Sequence, residues 1–456
     1  MRLFRWSSLK AAVLLLDILF VYGVYLLAYG LKFPSGIPVA EWTSFLQYAP
    51  WLGVLTVSAY YLFHLYDFAG RQQPGKLLYN LVLAHAFIAV FLIVLNYWLK
   101  TFSLPRTVVF MAFLIQIALT FGVRLLLFLL QRALHARRRA LVVTGTEPSA
   151  SALLDRVNHA GSAWFDIIRV LRGQEASSRL QEGIWDQVDV LMIGQGVAPS
   201  LRNRLIRMAG ERRIEVLLVP DFYELTLQKA ETQQLDDLLL YSLLPPQLDP
   251  WERLVKRAAD VIFSLALLIL ASPVMLLLCV LIPLTSKGSA FFVQERLGRY
   301  ERPFLLYKFR SMVENAEAAT GPVLAGAADA RITRLGQWIR ATRLDELPQL
   351  INVLLGHMSL VGPRPERAFF TERFKEELPH YSQRFMVKPG LTGLAQVMGN
   401  YTTDPSDKLR FDLMYINSYS PLLDLQIMLQ TLRVMVHREP ARGVVQKDAP
   451  LIREEA

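Results

Sequence analysis

Cysteine is nearly absent from this chain, with Cys279 the only one in 456 residues. A lone thiol rules out an intrachain disulfide framework and any metal site built on a cysteine cluster. Also missing is the glycine fingerprint G-x-G-x-x-G, which lets a pyrophosphate approach the backbone and which a nicotinamide-dependent oxidoreductase would carry. The turn where it could stand reads GTEPSA, Gly145–Ala150. The N-terminus has neither a signal-peptide cleavage pattern nor a lipidation box. The first apolar run is therefore expected to stay as an anchor.

Apolar sequence is abundant instead. Hydrophobic residues make up 53% of the chain and mean hydropathy is +0.31, values that with long apolar runs mark an integral membrane protein. Ala11–Leu31, Tyr48–Leu65, Leu77–Leu99 and Val108–Leu130 each approach the ~20 residues that cross ~30 Å of hydrocarbon as a helix. Arg2, Arg5 and Lys10 precede the first run, Arg71 and Lys76 separate the second from the third, and Arg132, Arg137, Arg138 and Arg139 follow the fourth. The positive-inside rule then puts the N-terminus and everything after Leu130 in the cytoplasm, outweighing the dissenting Lys32, Lys100 and Arg106. Asp17 and Arg124 lie within spans, near the cytoplasmic ends, where snorkelling or interhelical pairing is expected. The net charge of +10 suits a phosphate-bearing partner but also plain membrane-side basic loops, so it does not choose between them.

From Ala140 the pattern becomes that of a soluble α/β protein. ALVVTG (Ala140–Gly145), DVLMIG (Asp189–Gly194) and IEVLLVP (Ile214–Pro220) read as short buried strands, with helical segments at Ser149–His159 and Leu201–Gly210. They predict a small doubly wound parallel sheet, a Rossmann-like module over residues 140–245. Without the glycine fingerprint, a regulatory or dimer-forming role suits it at least as well as nucleotide binding.

A proline-bearing linker leads to a fifth apolar run, Val261–Pro283, interrupted by Pro273. Proline removes one helical hydrogen bond and clashes with the preceding turn, so a bend is expected near Ser272. Val261–Ser272 would reach only ~18 Å at 1.5 Å per residue. Arg253, Lys256 and Arg257 precede the run, and Lys287, Arg296, Arg299 and Arg302 follow it. Both flanks carry the cytoplasmic signature, which favours a re-entrant helix over a crossing one.

Beyond Ser286 the chain is basic and punctuated by Gly and Pro, and it contains the stretch RATRLDELPQL, Arg340–Leu350. In isolation this stretch reads as a helix start, with Asp345 capping backbone amides and Pro348 in the first turn. Its surroundings suggest chemistry. Arginine presents a rigid fork that matches phosphate oxygens, and Lys308 adds a compact charge. Adjacent helical residues diverge by about 100°, so Asp345 and Glu346 suit two tasks rather than one shared proton. One carboxylate could attack phosphorus while the other holds a hard cation such as Mg²⁺, with the nearby arginines expected to depress the carboxylate pKa.

The run from Lys256 to about Val436 resembles the catalytic domain of the bacterial sugar transferases, the monotopic polyprenyl-phosphate glycosyl-1-phosphate transferases. The resemblance rests on Ser272-Pro273, YKFRSM (Tyr307–Met312), LDELPQL (Leu344–Leu350), MSLVGPRPE (Met358–Glu366), VKPGLTGLAQ (Val387–Gln396) and FDLMYINSYSPLLDLQI (Phe411–Ile427). The preceding spans and α/β module resemble the large subgroup that includes undecaprenyl-phosphate glucose and galactose phosphotransferases. This implies transfer of a sugar-1-phosphate from a nucleotide sugar, with UDP expected, to undecaprenyl phosphate, opening the assembly of a surface polysaccharide. By resemblance Asp345 is the nucleophile that forms a covalent phosphosugar, and Glu346 assists through Mg²⁺, for which both carboxylates are candidate ligands. Lys308, Arg310, Arg340, Arg364 and Asp424 would bind phosphates or substrate, and Ser272-Pro273 would be the re-entrant break.

The expected architecture is then a four-span helical membrane domain (1–135), the Rossmann-like module (140–245), a re-entrant helix (251–285) and an α/β catalytic domain (286–456) on the cytoplasmic face of a bacterial inner membrane. Tyr419–Leu429 could be a second interfacial helix or an ordinary core helix. A homodimer is in keeping with the resemblance, and no nucleic-acid partner is indicated. The family pattern is broken at His357, at Asn400, where an arginine often stands, and at Asp329-Ala330-Arg331, where the middle residue is commonly proline. The competing reading is a catalytically silent membrane scaffold whose α/β module senses a ligand; the presence of both Asp345 and Glu346 argues against it.

Overall fold

The computed structural model describes residues 2–63, 65–66, 74–99, 105–134, 137–145, 151, 153–155, 157, 164–173, 182–243, 248–314, 316, 329, 331–399 and 404–436. The chain divides into two compact units, Met1–Val219 and Pro220–Ala456.

In the first unit four long helices, α1 (Arg2–Lys32), α2 (Val39–Leu62), α3 (Pro74–Leu99) and α4 (Arg106–Leu134), pack in a ring: each lies on its sequence neighbour and α1 closes on α4. Asp17 and Arg124 meet inside this bundle at 2.7 Å, with side chains only 3% and 5% exposed, so they pair rather than snorkel. Arg124 also donates to the Leu65 carbonyl at 2.6 Å, and its guanidinium lies over the rings of Tyr60 and Tyr66. A charge taken out of water is tolerated only with such partners. Helices both long and apolar enough to cross a membrane are Val13–Lys32, Leu77–Leu95, Arg106–Leu130 and Pro250–Thr285. The expected second span is not among these. Its segment forms the 24-residue helix α2, but Gln47, Pro50, Thr56 and Ser58 dilute the hydropathy of its apolar stretch.

After the bundle come β1 (Arg138–Thr144), β2 (Phe165–Arg172), β3 (Val190–Ile193), α5 (Pro199–Glu211) and β4 (Glu215–Leu218). The four strands form one parallel sheet in the order β2-β1-β3-β4. The three expected strands are β1, β3 and β4, but only β1 and β3 are buried as expected; the residues of β4 are half-buried or exposed. β2 was not foreseen, because FDIIRVLR sets charges among its apolar residues and only Phe165 and Leu171 are buried. Of the helix expected at Ser149–His159, residues 151 and 153–155 are helical and most of the rest lies outside the described residues.

The second unit opens with α6 (Phe222–Leu227) and the antiparallel hairpin β5 (Glu231–Leu235) and β6 (Leu238–Ser242). Helix α7 (Pro250–Thr285) follows, its start fixed by a capping box between Asp249 and Glu252. It remains one helical element through Pro273. The carbonyl that Pro273 cannot serve, that of Ile269, accepts instead from Ser272 Oγ at 2.7 Å. Both ends of α7 rest on the same unit. Near its start, Lys256 Nζ donates to the Val361 carbonyl at 3.1 Å, Arg257 to the carbonyls of Val353 and Leu354 at 2.7 and 2.8 Å, and Asp260 accepts from Ser359 Oγ and the Leu360 amide. Near its end, Leu278 and Ile282 share a core with Phe309 and Ile339. Between these anchors Ile269, Leu270, Leu276 and Leu277 are exposed.

The remainder comprises the antiparallel pair β7 (Phe291–Leu297) and β8 (Pro303–Phe309), helices α8 (Arg334–Ala341) and α9 (Gln349–Leu355), strand β9 (Ser359–Val361), α10 (Ala368–Glu377), β10 (Gly390–Thr392) parallel to β9, α11 (Leu394–Met398), α12 (Pro405–Asn417) and α13 (Pro421–Val436). Leu306, Leu350, Val353, Met358, Leu360, Tyr415 and Ile427 form the central core. Ile427 places α13, the segment with two open readings, against that core.

Candidate active site

Thr333 caps α8 by accepting from the Gly336 amide at 2.9 Å. The chain then reverses at Arg343, whose φ of 59° is left-handed, a conformation that costs a non-glycine residue about 1 kcal/mol or more. Leu344–Glu346 form a single 3₁₀ turn, and α9 begins behind Pro348, which stands at its N-cap. Asp345 is therefore not the helix cap that the bare stretch suggested; Pro348 has no side-chain acceptor and α9 starts without a side-chain cap. The carboxylates sit on a tight turn ahead of the helix, where successive side chains diverge by roughly 120°.

The two acids have different surroundings. Glu346 Oε1 accepts from Arg364 Nη2 at 2.8 Å and faces Lys308 Nζ at 3.4 Å. Burial opposes its charge, but Arg364 and Lys308 prevail and hold its pKa well below the usual carboxylate range. Asp345 differs: its Oδ1 is sealed from solvent with no hydrogen-bond partner. Burial, reinforced by the neighbouring Glu346 charge, raises its pKa despite Lys308, Arg340 and Arg343. The expectation that the arginines depress the carboxylates thus holds for Glu346 and fails for Asp345, because desolvation outweighs charges that make no direct contact. Burial likewise lowers the Lys308 pKa, and Glu346 raises that of Arg364.

The other candidates are distributed unevenly. Arg340, in the last turn of α8, acts on Asp345 through its charge. Arg310 is turned away, its terminal nitrogens donating to the carbonyls of Ser286 at 2.8 Å, Gly288 at 3.1 Å and Lys287. It clamps the exit of α7. Asp424 belongs to a separate cluster, accepting from Lys256 Nζ at 2.6 Å and from Tyr415 Oη at 2.8 Å, with burial raising its pKa. Ser272 and Pro273 lie in α7, far in sequence from the acid turn.

Sequence reasoning missed the supports. The Arg364 loop is held by Arg384, which donates to the Arg364 carbonyl at 3.0 Å, by the Leu297 amide on the Glu366 carbonyl at 2.9 Å, and by the Gly390 amide on the Pro363 carbonyl at 2.8 Å. Gly362 must be glycine: a Cβ there would stand 2.5 Å from the Lys388 carbonyl. Asn352 on α9 donates to the Leu305 carbonyl at 2.7 Å and accepts from the Tyr307 amide at 3.0 Å. Its only sequence signal was an amide amid the apolar residues of a helix.

No cluster of three or more His, Cys, Asp or Glu converges among the described residues, so an all-protein metal cage is not indicated there. The donor chemistry fits a hard cation of the Mg²⁺ type, which takes one or two carboxylates and completes its shell with water and phosphate oxygens. The unpartnered buried Oδ1 of Asp345, next to Glu346, is the acceptor such an ion would satisfy. Of the departures, His357 contributes its backbone amide to the Asn352 carbonyl at 3.0 Å and its ring lies 6.1 Å from that of Phe304, a packing role. Asp329 accepts from Arg331 at 2.6 Å across the altered turn. Ala330 and Asn400 lie outside the described residues.

The bacterial sugar transferase family matches residues 251–438. The chain is 39% identical over 237 residues to a UDP-N-acetylgalactosamine-undecaprenyl-phosphate N-acetylgalactosaminephosphotransferase of Aeromonas hydrophila, covering 51% of this chain and 55% of that protein. It is 30% identical over 320 residues to a UDP-glucose:undecaprenyl-phosphate glucose-1-phosphate transferase of Klebsiella pneumoniae, covering 66% and 68%. With the exopolysaccharide production protein PSS of Rhizobium leguminosarum bv. phaseoli it shares 40% identity over 185 residues, 39% of this chain and 92% of the relative. The matched region spans about half the length of the Aeromonas protein.

Proposed function

The chain belongs to the bacterial sugar transferase family, and from that premise we propose that it transfers a sugar-1-phosphate from a UDP-sugar to undecaprenyl phosphate. The observation that carries the reading is the asymmetry of the acid turn: Glu346 is pinned by Arg364 and Lys308, while Asp345 keeps a desolvated, unpartnered oxygen. An ionised carboxylate in that setting is a stronger nucleophile than a hydrated one. An Asp345 oxygen attacks the sugar-bearing phosphorus of the donor; the new O–P bond forms as the bond to UMP breaks, and UMP leaves with the electron pair. A phosphate oxygen of undecaprenyl phosphate then attacks the same phosphorus. The aspartyl–phosphorus bond breaks, Asp345 is restored, and the lipid diphosphate sugar is released.

Arg364 and Lys308 orient Glu346, and Arg340 brings positive charge towards the phosphates. Mg²⁺ bound by Glu346 and Asp345 would neutralise diphosphate charge. The reaction belongs at the cytoplasmic face of the inner membrane, where UDP-sugars are made and the acceptor's phosphate lies among headgroups. Helix α7 supports that placement: residues near both its ends are anchored on one unit, while apolar side chains such as Ile269, Leu270, Leu276 and Leu277 between those anchors are exposed, in keeping with a helix that dips in and returns. The relatives' names span N-acetylgalactosamine, glucose and galactose, so the test is a panel. Purified protein with Mg²⁺, undecaprenyl phosphate and each UDP-sugar should release UMP, and Asp345→Asn should not. Full activity in Asp345→Asn overturns the mechanism, and silence with every donor overturns the function.

A further inference from the structure

Lys308 and Glu346 come from different elements, and their 3.4 Å contact is longer than the 2.8 Å contact from Arg364. Something must set the distance between strand β8 and the acid turn. Residues 305 and 307 are two apart, so their backbone groups share one edge of β8. On that edge Asn352 donates from Nδ2 to the Leu305 carbonyl at 2.7 Å and accepts at Oδ1 from the Tyr307 amide at 3.0 Å. One side-chain amide thus takes the place of a residue on a third strand. Asn352 is fully buried, at 0% exposure, and lies six residues after Glu346, within the helix that the acid turn leads into. Tyr307 immediately precedes Lys308. Its own main chain adds rigidity, since the amides of His357 and Met358 both donate to the Asn352 carbonyl, at 3.0 and 3.2 Å.

We propose that Asn352 is a positioning residue that fixes the register of β8 against α9, and so holds Lys308 at Glu346. The inference rests on the reaction proposed above for its kinetic consequence, though not for the anchoring itself. No apolar residue can replace it: an isosteric leucine leaves a buried carbonyl and a buried amide unpaired. Aspartate keeps the acceptor for Tyr307 and loses the donor to Leu305.

Two measurements on the full chain in lipid nanodiscs test this. Hydrogen exchange reads the anchor without turnover: in Asn352→Leu the peptide covering 304–308 should exchange at least about tenfold faster while peptides of α12 are unchanged, and Asn352→Asp should fall between. Unchanged exchange at 304–308 overturns the anchor. The second is a double-mutant cycle with Lys308→Met. Asn352→Leu should lower kcat on the order of 10- to 100-fold with little change in KM for the UDP-sugar, and the double variant should be no slower than Lys308→Met alone. Losses that multiply overturn the positioning role, since a merely structural residue acts independently of Lys308. If Asn352→Leu does not fold, Asn352→Asp enters the same cycle. A wild-type protein inert on every donor defeats the reaction reading and leaves the exchange result to decide the anchor.

Discussion

Asp412 is 2% exposed and lies 2.8 Å from Arg384 Nη2. Burial, helped by the charge of Glu366, outweighs that cation, and the Asp412 pKa rises to about 6. The folded state then holds a proton that the unfolded chain, titrating near ~3.9, releases. Between about pH 4 and pH 6 the native state binds more protons, so stability falls as pH rises, by at most ~1.4 kcal/mol per unit from this group. Compared with Asp412→Asn, the wild type should lose thermal midpoint from pH 4 to pH 6 and run parallel above pH 7. Curves parallel throughout would show no such proton. Arg364→Lys keeps a charge and loses the guanidinium fork on Glu346; UMP release should drop on the order of 100-fold with the melting curve little changed. At this scale the identities of Asp345, Glu346, Lys308 and Arg364 were legible, because acids among arginines are conspicuous. The raised Asp345 pKa and the roles of Asn352 and Arg384 were not, because each depends on burial and on partners distant in sequence.

Among the elements, α7 tests the physics most directly. Its Pro273 and the like charges on both flanks pointed to a bend and return, while the helix itself continues to Thr285 with Ser272 serving the stranded carbonyl. Local sequence announces a proline's lost donor and cannot announce a hydroxyl that compensates. Because Cys279 is the sole cysteine, Cys279→Ser gives a silent background for labelling. Lys287→Cys in that background should resist an impermeant thiol reagent added outside intact cells and react after permeabilisation; labelling from outside would mean that α7 crosses. In the bundle, Arg124→Leu strands Asp17 among apolar residues. It should cut the yield of folded protein, and Asp17→Leu added to it should recover much of the loss, as expected when the unpaired charge rather than the missing pair is the burden. Strands β1 and β3, mostly buried, and β4, half-buried to exposed, were readable as continuous apolar runs, whereas β2 mixes charges among its apolar residues too irregularly to be distinguished from a loop.

At the scale of the molecule the linker prolines near residue 245 suggest a boundary by composition, while packing joins Pro220–Ser242 to the second unit. Leu225, 2% exposed, fills a core with Leu297, Tyr381, Phe385, Leu409 and Leu413. Arg410 donates to the Pro220 carbonyl at 3.1 Å and Asn417 to that of Leu225 at 3.2 Å. Those contacts link sequence positions nearly two hundred residues apart, a separation that composition cannot report. They predict where the chain can be cut. A protein beginning at Pro220 should retain UMP release, in keeping with the Rhizobium relative, 92% of which is matched within 185 residues. One beginning at Asp249 should melt at a lower temperature, because the Leu225 site is left empty. Leu225→Ala in the full chain isolates that contribution and should cost the second unit about 2–5 kcal/mol. Equal melting of the two truncated proteins, with Leu225→Ala neutral, would show that the segment from Pro220 to Ser242 is no part of the second unit's fold.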